Sequence, residues 1–399
     1  KKLPQIREGE YEAIPERIIK PEWKPDFGPA KFVPEWGATV TGARNFLIAY
    51  NVNLLGTKEQ AHRIALDIRD NGRNNGVPGL LKETKAIGWY VDEYNLAQIS
   101  INLTDYKVTG IHTAFEACKS IVASLNIAVT GSELVGLVPL GSILQSAEYY
   151  IQKENLMIVE EAQKISLVVD RLGLNSIAPF IPAKRIIEYL VREEGNEPLA
   201  DLSVRDFVKS IAARTSAPGG GSASVVVAAI GAGLGCMVAQ LTYGVRKFEN
   251  VENEMRKIIP VLHRVTNDLI LLIDADTNAF NDYVEATRLP KVTDEEKQFR
   301  NNAMQDSLKK AIEVPLTTMR IADSAWNMMI EVARYGNIAS KSDVEVGAKS
   351  LETGIWGAHK NVLINLKEIQ DEPYKTDTLA EANMLLQRAS EICSQILES

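Results

Sequence analysis

Cysteine is scarce in this chain: Cys118, Cys236 and Cys393 are the only three among 399 residues, each set in an apolar or helical pattern. Their wide spacing excludes a disulfide framework and a cysteine-rich metal centre, and it is the usage of a reduced, cytoplasmic protein. Histidine is nearly as rare. His62, His112, His263 and His359 are scattered, so no zinc spacing arises and no metal is expected. A basic excess is missing too: 44 Lys and Arg stand against 52 Asp and Glu, a formal net charge of −8. Without a basic face, nucleic acid is excluded as the main partner. The opening residues KKLPQIREGEYEAI contain neither an initiating Met nor the apolar core of a secretory signal, and they read as the inside of a longer polypeptide. One further lack is local: no charged residue occurs between Arg214 and Arg246.

What is present belongs to a globular protein of two or three domains, with 45% apolar and 24% charged residues. The front half alternates strand and helix patterns. Phe46 to Leu55 is rich in β-branched and aromatic residues, and KEQAHRIALDIRDNG then places Ala61, Ile64, Ala65 and Ile68 on one helical face and stops at Gly72. AIGWYVDE and AQISINLTDYKV follow as strands, then a helix over Ala114 to Leu125, then IAVTGSELVGLVP as a strand. The order β-α-β-β-α-β is that of a ferredoxin-like unit. Helices near Gly141 to Gln152 and Glu160 to Leu172 close the region. A proline-rich, densely charged stretch, 180–201, reads as a linker. From Ser203, which caps a helix with Asp206 three residues on, every pattern is helical. The spacing predicts helices over 203–214, 219–244, 252–288, 294–335 with a kink at Pro315, 343–368 with Ser342 as its cap, and 376–397. The fold class is therefore multi-domain, an α/β part followed by an all-α helical bundle.

The uncharged run, TSAPGGGSASVVVAAIGAGLGCMVAQLTYG, is long enough to span a membrane. Its Gly, Ala, Ser, Thr and Gln content contributes little to insertion, and Pro218 with the glycine triplet takes up its start. It reads as a buried bundle helix, and no transmembrane segment is expected. Gly219, Gly220, Gly221 and Ser222 open that helix, where backbone N–H groups and the helix dipole can hold an anion; the spacing matches neither a Walker loop nor a dinucleotide fingerprint. Gly231 and Gly235, four apart, suit close helix packing.

In the next long helix the apolar stripe runs through Leu262, Val265, Leu269 and Ile273, and its period falls next on Asp276. A carboxylate thus occupies a position reserved for an apolar side chain. An acid–base group and a structural pairing both fit that position, and periodicity does not choose between them. Asp274 lies about 200° round the helix and shares no face with it. Asn361 and Asn365, at i and i+4 among Val, Leu and Ile, point to hydrogen bonding either to a heterocyclic ligand or to a partner helix. In the front half, DFGPAKFVPEWGATVTG crowds Phe27, Phe32 and Trp36 among prolines and glycines; it suits stacking on a flat ligand, or a well-packed connection.

The chain resembles the bifunctional folate enzymes called formimidoyltransferase-cyclodeaminases from end to end. The resemblance is carried by DFGPAKFVPEWGATVTGARNFLIAYNVNLLGTKEQAHRIA, GSELVGLVPL, RIIEYL, RTSAPGGGSAS, LTYGVRKF, LIDADTNAF and NVLINL, in that order. It implies the end of a formimidoyltransferase N-terminal subdomain and a folate-binding loop over 1–37, a C-terminal formimidoyltransferase subdomain over 38–179, a linker over 180–201, and a helical cyclodeaminase domain over 202–399. It also implies that Gly28, Pro29, Ala30, Lys31, Phe32, Val33, Pro34, Glu35, Trp36 and Gly37 bind folate, and that Asp276 is the cyclodeaminase catalytic residue. The cyclodeaminase pocket is then expected from Gly219, Gly220, Gly221, Ser222, Asn361 and Asn365.

The activity implied is closure of 5-formimino-tetrahydrofolate to 5,10-methenyl-tetrahydrofolate with release of ammonia, a step of histidine degradation. Tetrahydrofolate, preferably polyglutamylated, is the carrier substrate, with no metal or redox cofactor. A ring-like homo-oligomer, possibly an octamer, is implied, in the cytoplasm or on the periphery of organelle membranes. The family's transferase uses a histidine in a His-Pro-Arg-type motif, and no such motif occurs in this sequence. The chain is accordingly expected to lack most of the N-terminal subdomain and to transfer formimino groups only if that part is supplied. The rival readings are a methenyl-tetrahydrofolate cyclohydrolase and a non-catalytic oligomeric scaffold.

Overall fold

The computed structural model describes residues 3–73, 76–191, 197–215 and 217–398; part of the 180–201 stretch and Ser216 lie outside the described residues. The chain divides into two compact units, Lys1–Ser146 with Val168–Ile187, and Ala147–Leu167 with Glu188–Ser399.

The first unit is built on one antiparallel sheet. Its elements are β1 (Ile48–Leu55), α1 (Lys58–Ile68), β2 (Thr84–Val91), β3 (Leu96–Leu103), α2 (Ile111–Ser124) and β4 (Ala128–Val135), with strand order β2-β3-β1-β4. All three pairings are antiparallel, and Val52 stands opposite both Ile99 and Ser132. β1 takes the centre because it can bury both faces: Tyr50, Val52 and Leu54 are fully buried, and Asn53 is buried on the other side. There Asn53 Oδ1 accepts from Gln98 Nε2 at 2.8 Å, and Gln98 Oε1 accepts from Trp89 Nε1 at 3.1 Å, so the buried amides are hydrogen-bonded. α1 starts at a capping box, with Thr57 and Gln60 bonded reciprocally at 3.3 and 2.9 Å, worth about 1 kcal/mol. Its Ala61, Ile64, Ala65 and Ile68 are all fully buried. Gly88 is required where β2 meets this helix, since a Cβ there would overlap the backbone of Ala61 and His62. Ile186 pairs with Val138, so the first part of the 180–201 stretch is stitched to this unit. Helices α3 (Leu140–Glu154) and α4 (Glu161–Leu172) follow the sheet in sequence.

The second unit is a helical bundle: α5 (Val204–Ile211), α6 (Gly220–Thr242), α7 (Glu252–Ile270), α8 (Ala275–Thr287), α9 (Asp294–Asp323), α10 (Trp326–Tyr335), α11 (Lys341–Leu366) and α12 (Glu372–Glu398). α6 is long and apolar enough to cross a membrane by length and composition, and 61% of its most apolar window is buried inside the bundle. It reaches α11 through glycine notches. The place a Cβ would take at Gly231 lies 2.6 Å from the backbone N of Leu351, and that at Gly354 lies 2.6 Å from the Cβ of Ala228. Leu262, Leu269, Ile312, Met319 and Leu351 are among the side chains buried between these helices, each contributing roughly 1.5–3 kcal/mol.

Three expected boundaries are different. The single helix over 252–288 is broken between Ile270 and Ala275, where successive i→i−3 bonds replace the α-helical ones and Asp274 turns its side chain away to two backbone amides. The 294–335 helix runs through the buried Pro315 and breaks at Ser324 and Ala325, a turn that brings Trp326 into the core, where it is fully buried. α11 begins at Lys341 after a short 3-10 turn, so Ser342 lies inside it; the local side-chain cap is Asn337, whose Oδ1 accepts from the Ala339 N–H at 3.1 Å. Ser203 caps α5 as expected, but Asp206 bonds its hydroxyl at 2.6 Å instead of completing a reciprocal box.

Candidate active site

The start of α6 explains why three glycines stand together. Gly219 is the cap residue in an extended conformation, and Gly220, Gly221 and Ser222 form the first turn, whose N–H groups have no partner within the helix. One of those donors meets a charge, and the charge is the chain's own: the Asp276 carboxyl, carried on the first turn of α8, lies against Gly221 and accepts a bond from the Ser222 N–H. A Cβ on Gly221 would overlap both carboxyl oxygens, so any larger residue there must displace the carboxyl. Gly220, one residue earlier, has open space around its Cα. Ser222 is fully buried, with Oγ 3.4 Å from Thr277 Oγ1.

From the third side, α11 contributes Asn361, whose Nδ2 donates to Asp276 Oδ1 at 2.6 Å. Asn365, one turn on, donates instead to the Ala311 carbonyl at 3.0 Å and ties α11 to α9. Of the two amides one belongs to the carboxyl and the other to the bundle. Burial is the largest influence on Asp276 and pushes its carboxyl above the usual carboxylate range; the Asn361 amide and the Ser222 N–H, which favour the ionised form, offset part of that push. A half-buried carboxyl whose proton affinity is raised in this way is suited both to take and to give a proton.

Asp274 does something else. It is buried, and its two oxygens accept from the Leu199 and Ala200 N–H groups at 2.9 and 3.1 Å, fastening the chain ahead of α5 to the turn before α8. The segment Gly28 to Gly37 presents a different surface. Phe27 and Trp36 are 89% and 83% exposed, while Phe32 packs edge-on to Tyr11 and the Tyr11 hydroxyl donates to the Pro34 carbonyl at 2.7 Å. Gly28 and Gly37 hold positive φ of 81° and 67° that turn the chain. His112 lies 3.2 Å from Ser146 Oγ, His263 3.1 Å from Glu160 and His359 2.9 Å from Asn383, while His62 is exposed on α1. No group of three or more His, Cys, Asp or Glu residues placed to hold a metal occurs among the described residues.

Three family models match. Formiminotransferase-cyclodeaminase covers residues 203–384, the Formiminotransferase domain 49–192, and the Formiminotransferase domain, N-terminal subdomain, 1–44. The formimidoyltransferase-cyclodeaminase of Dictyostelium discoideum is 55% identical over 400 residues, covering 100% of this chain and 74% of that protein, and that of Mus musculus is 51% identical over 398 residues. The chain belongs to the formimidoyltransferase-cyclodeaminase family. Because the N-terminal subdomain is among the matches, the expectation that most of it is missing is not borne out. The helical part has a shorter relative as well: a methenyltetrahydrofolate cyclohydrolase of Methylorubrum extorquens, 33% identical over 205 residues, of which 96% is covered. A crystal structure of formiminotetrahydrofolate cyclodeaminase from Thermotoga maritima aligns at a TM-score of 0.45 and 28% identity, over 50% of this chain and 95% of that one.

Proposed function

We propose that the helical unit closes 5-formimino-tetrahydrofolate to 5,10-methenyl-tetrahydrofolate with loss of ammonia, and that Asp276 carries the proton. The observation behind this is the enclosure of one carboxyl by the α6 N-terminus and Asn361, with burial holding its proton affinity high. Folate N10 attacks the carbon of the protonated formimino group, forming the third C–N bond of a tetrahedral centre that also bears N5 and the exocyclic amino group. The ionised Asp276 takes the N10 proton. The same carboxyl then gives that proton to the exocyclic amino group, which leaves as ammonia as the C–N bond to it breaks. One group serves both transfers, and none of these steps calls on a redox change.

The test is the methenyl-tetrahydrofolate absorbance that appears when the chain meets 5-formimino-tetrahydrofolate, followed alongside ammonia. Loss of both signals in Asp276→Asn supports the assignment, and equal rates in the two proteins would sink it. The cyclohydrolase reading has a specific observation in its favour, the 33% identity to the Methylorubrum extorquens enzyme. Ammonia decides between them, since a cyclohydrolase opens the methenyl bridge with water and releases none.

We further propose that residues 38–179 form a ferredoxin-like transferase subdomain, a reading supported by the β-α-β-β-α-β order and the antiparallel β2-β3-β1-β4 sheet, with 1–37 ahead of it, 180–201 as linker and 202–399 as the cyclodeaminase domain. The exposed aromatic face of Gly28 to Gly37 is its folate contact. Polyglutamylated folate, a ring-like homo-oligomer and a cytoplasmic setting complete the proposal. The last is supported by three buried, unpaired cysteines.

A further inference from the structure

Asp276 is held by two helices that donate to it in different ways. α6 offers a backbone N–H, that of Ser222, and α11 offers a side-chain amide, Asn361 Nδ2, 2.6 Å from Oδ1. An amide nitrogen is a donor only. A proton placed on Oδ1 along that bond would face the Nδ2–H head-on, so the bond favours a carboxyl whose Oδ1 carries no hydrogen there. Asn361 reaches this position because α11 is locked on both flanks of it: Gly357 sits against Ser224 of α6, and Asn365 is tied to the Ala311 carbonyl of α9.

We propose that Asn361 is the positioning residue of the proton-carrying carboxyl: by occupying Oδ1 it fixes the carboxyl's orientation and favours the ionised form that begins the reaction. This rests on the reading of Asp276 as the proton carrier. Several ionisable groups on the surrounding helices have partners of their own. On α11, His359 bonds Asn383 and the Lys360 ammonium lies over the Trp356 ring, and just past its end Glu368 accepts from the Tyr283 hydroxyl; on α8, Asp282 is 3.9 Å from Lys310 of α9. Arg300 of α9 donates to the Thr287 carbonyl, and α6 carries no charge at all. Among the described residues, Asn361 is thus the side-chain donor seen on the carboxyl.

The experiment uses the full chain and the variants Asn361→Leu, Asn361→Ala and Asp276→Asn. Two readouts are taken: the pH profile of kcat and KM for ring closure, and the titration of 13C-labelled aspartate carboxyls, with the Asp276 signal assigned by its loss in Asp276→Asn. Removing a donor from the ionised form must raise the carboxyl's titration midpoint, by about one pH unit. The acidic limb of kcat is expected to move up with it, while KM stays within about twofold, as befits a residue that acts through the carboxyl. A midpoint and limb that stay put overturn the proposal, as does a rise in KM with an unmoved limb, which would make Asn361 a substrate contact. Asn361→Ala and Asn361→Leu must agree, so misfolding of one leaves the other to decide. If the wild-type chain releases no ammonia, the ring-closure reading fails, and the carboxyl titration still shows whether Asn361 controls Asp276.

Discussion

Two glycine-rich segments stand out in this sequence, and they are built in opposite ways. Gly28 to Gly37 turns with open space at Gly28 and leaves Phe27 and Trp36 almost wholly exposed. Gly219 to Ser222 turns into a helix in whose first turn the Ser222 N–H is already met by a carboxyl from the same chain. In the first, glycine serves the path of the backbone. In the second it makes room for one charge, and at Gly221 the room is fully used. A glycine-rich helix start is thus not by itself a vacancy for a ligand anion: here it is the chain's means of installing its own acid in a poorly hydrated place, ready to work.

The harshest way to break the contrast is Asp276→Asn, which removes proton transfer from the enclosed site alone; general acid–base catalysis contributes about 10²–10⁴-fold, and a fall of that size in ammonia release is expected. Gly221→Ala comes next. The added methyl must displace the carboxyl, and we expect kcat to drop by roughly 10–100-fold, while Gly220→Ala, one residue away in open space, stays near wild type. Equal effects from the two alanines would show that the fit at Gly221 has no catalytic meaning. Stability against pH gives a subtler test. Because the folded carboxyl binds its proton more tightly than the unfolded one, the folded state holds more protons between the two midpoints, and stability contributed by this group is present at low pH and lost as pH rises through that window. Asp276→Asn should therefore flatten the decline, visible as a Tm above wild type at neutral pH and a smaller difference in acid. Trp36→Ala is the mildest: with the ring 83% exposed, folding stability should change by no more than about 0.5 kcal/mol, while folate binding measured by fluorescence titration weakens if the open loop is a contact.

Much of this was legible in residue patterns. Leu262, Val265, Leu269 and Ile273 buried as their spacing required, and the next position on that face is Asp276. The break between Ile270 and Ala275 was not legible: Leu269 to Ile273 is an unbroken apolar run with neither Gly nor Pro, and what stops the helix is Asp274 bonding amides 75 and 74 residues away. Pro315 misled in the other direction, since a proline buried mid-helix can be tolerated when packing around it holds. Asn361 and Asn365 share a face by periodicity, yet their partners, a carboxyl on α8 and a carbonyl on α9, come from different helices. Spacing tells which side of a helix a residue is on; it does not tell who is waiting there.

The glycine notches between α6 and α11 make the seam work as a toothed rack. Gly231, Gly354 and Gly357 each admit a neighbour so closely that one more carbon cannot be absorbed in place. The seam then has to slip, and slippage is reported at the far end of a stiff rod. Ten residues separate Gly231 from Gly221, about 15 Å at the helical rise, and at that end the Ser222 N–H has only a hydrogen bond's tolerance toward Asp276. A single methyl placed deep in the bundle would thus act as a calibration error in the chemistry, leaving the site complete in its parts and wrong in its spacing.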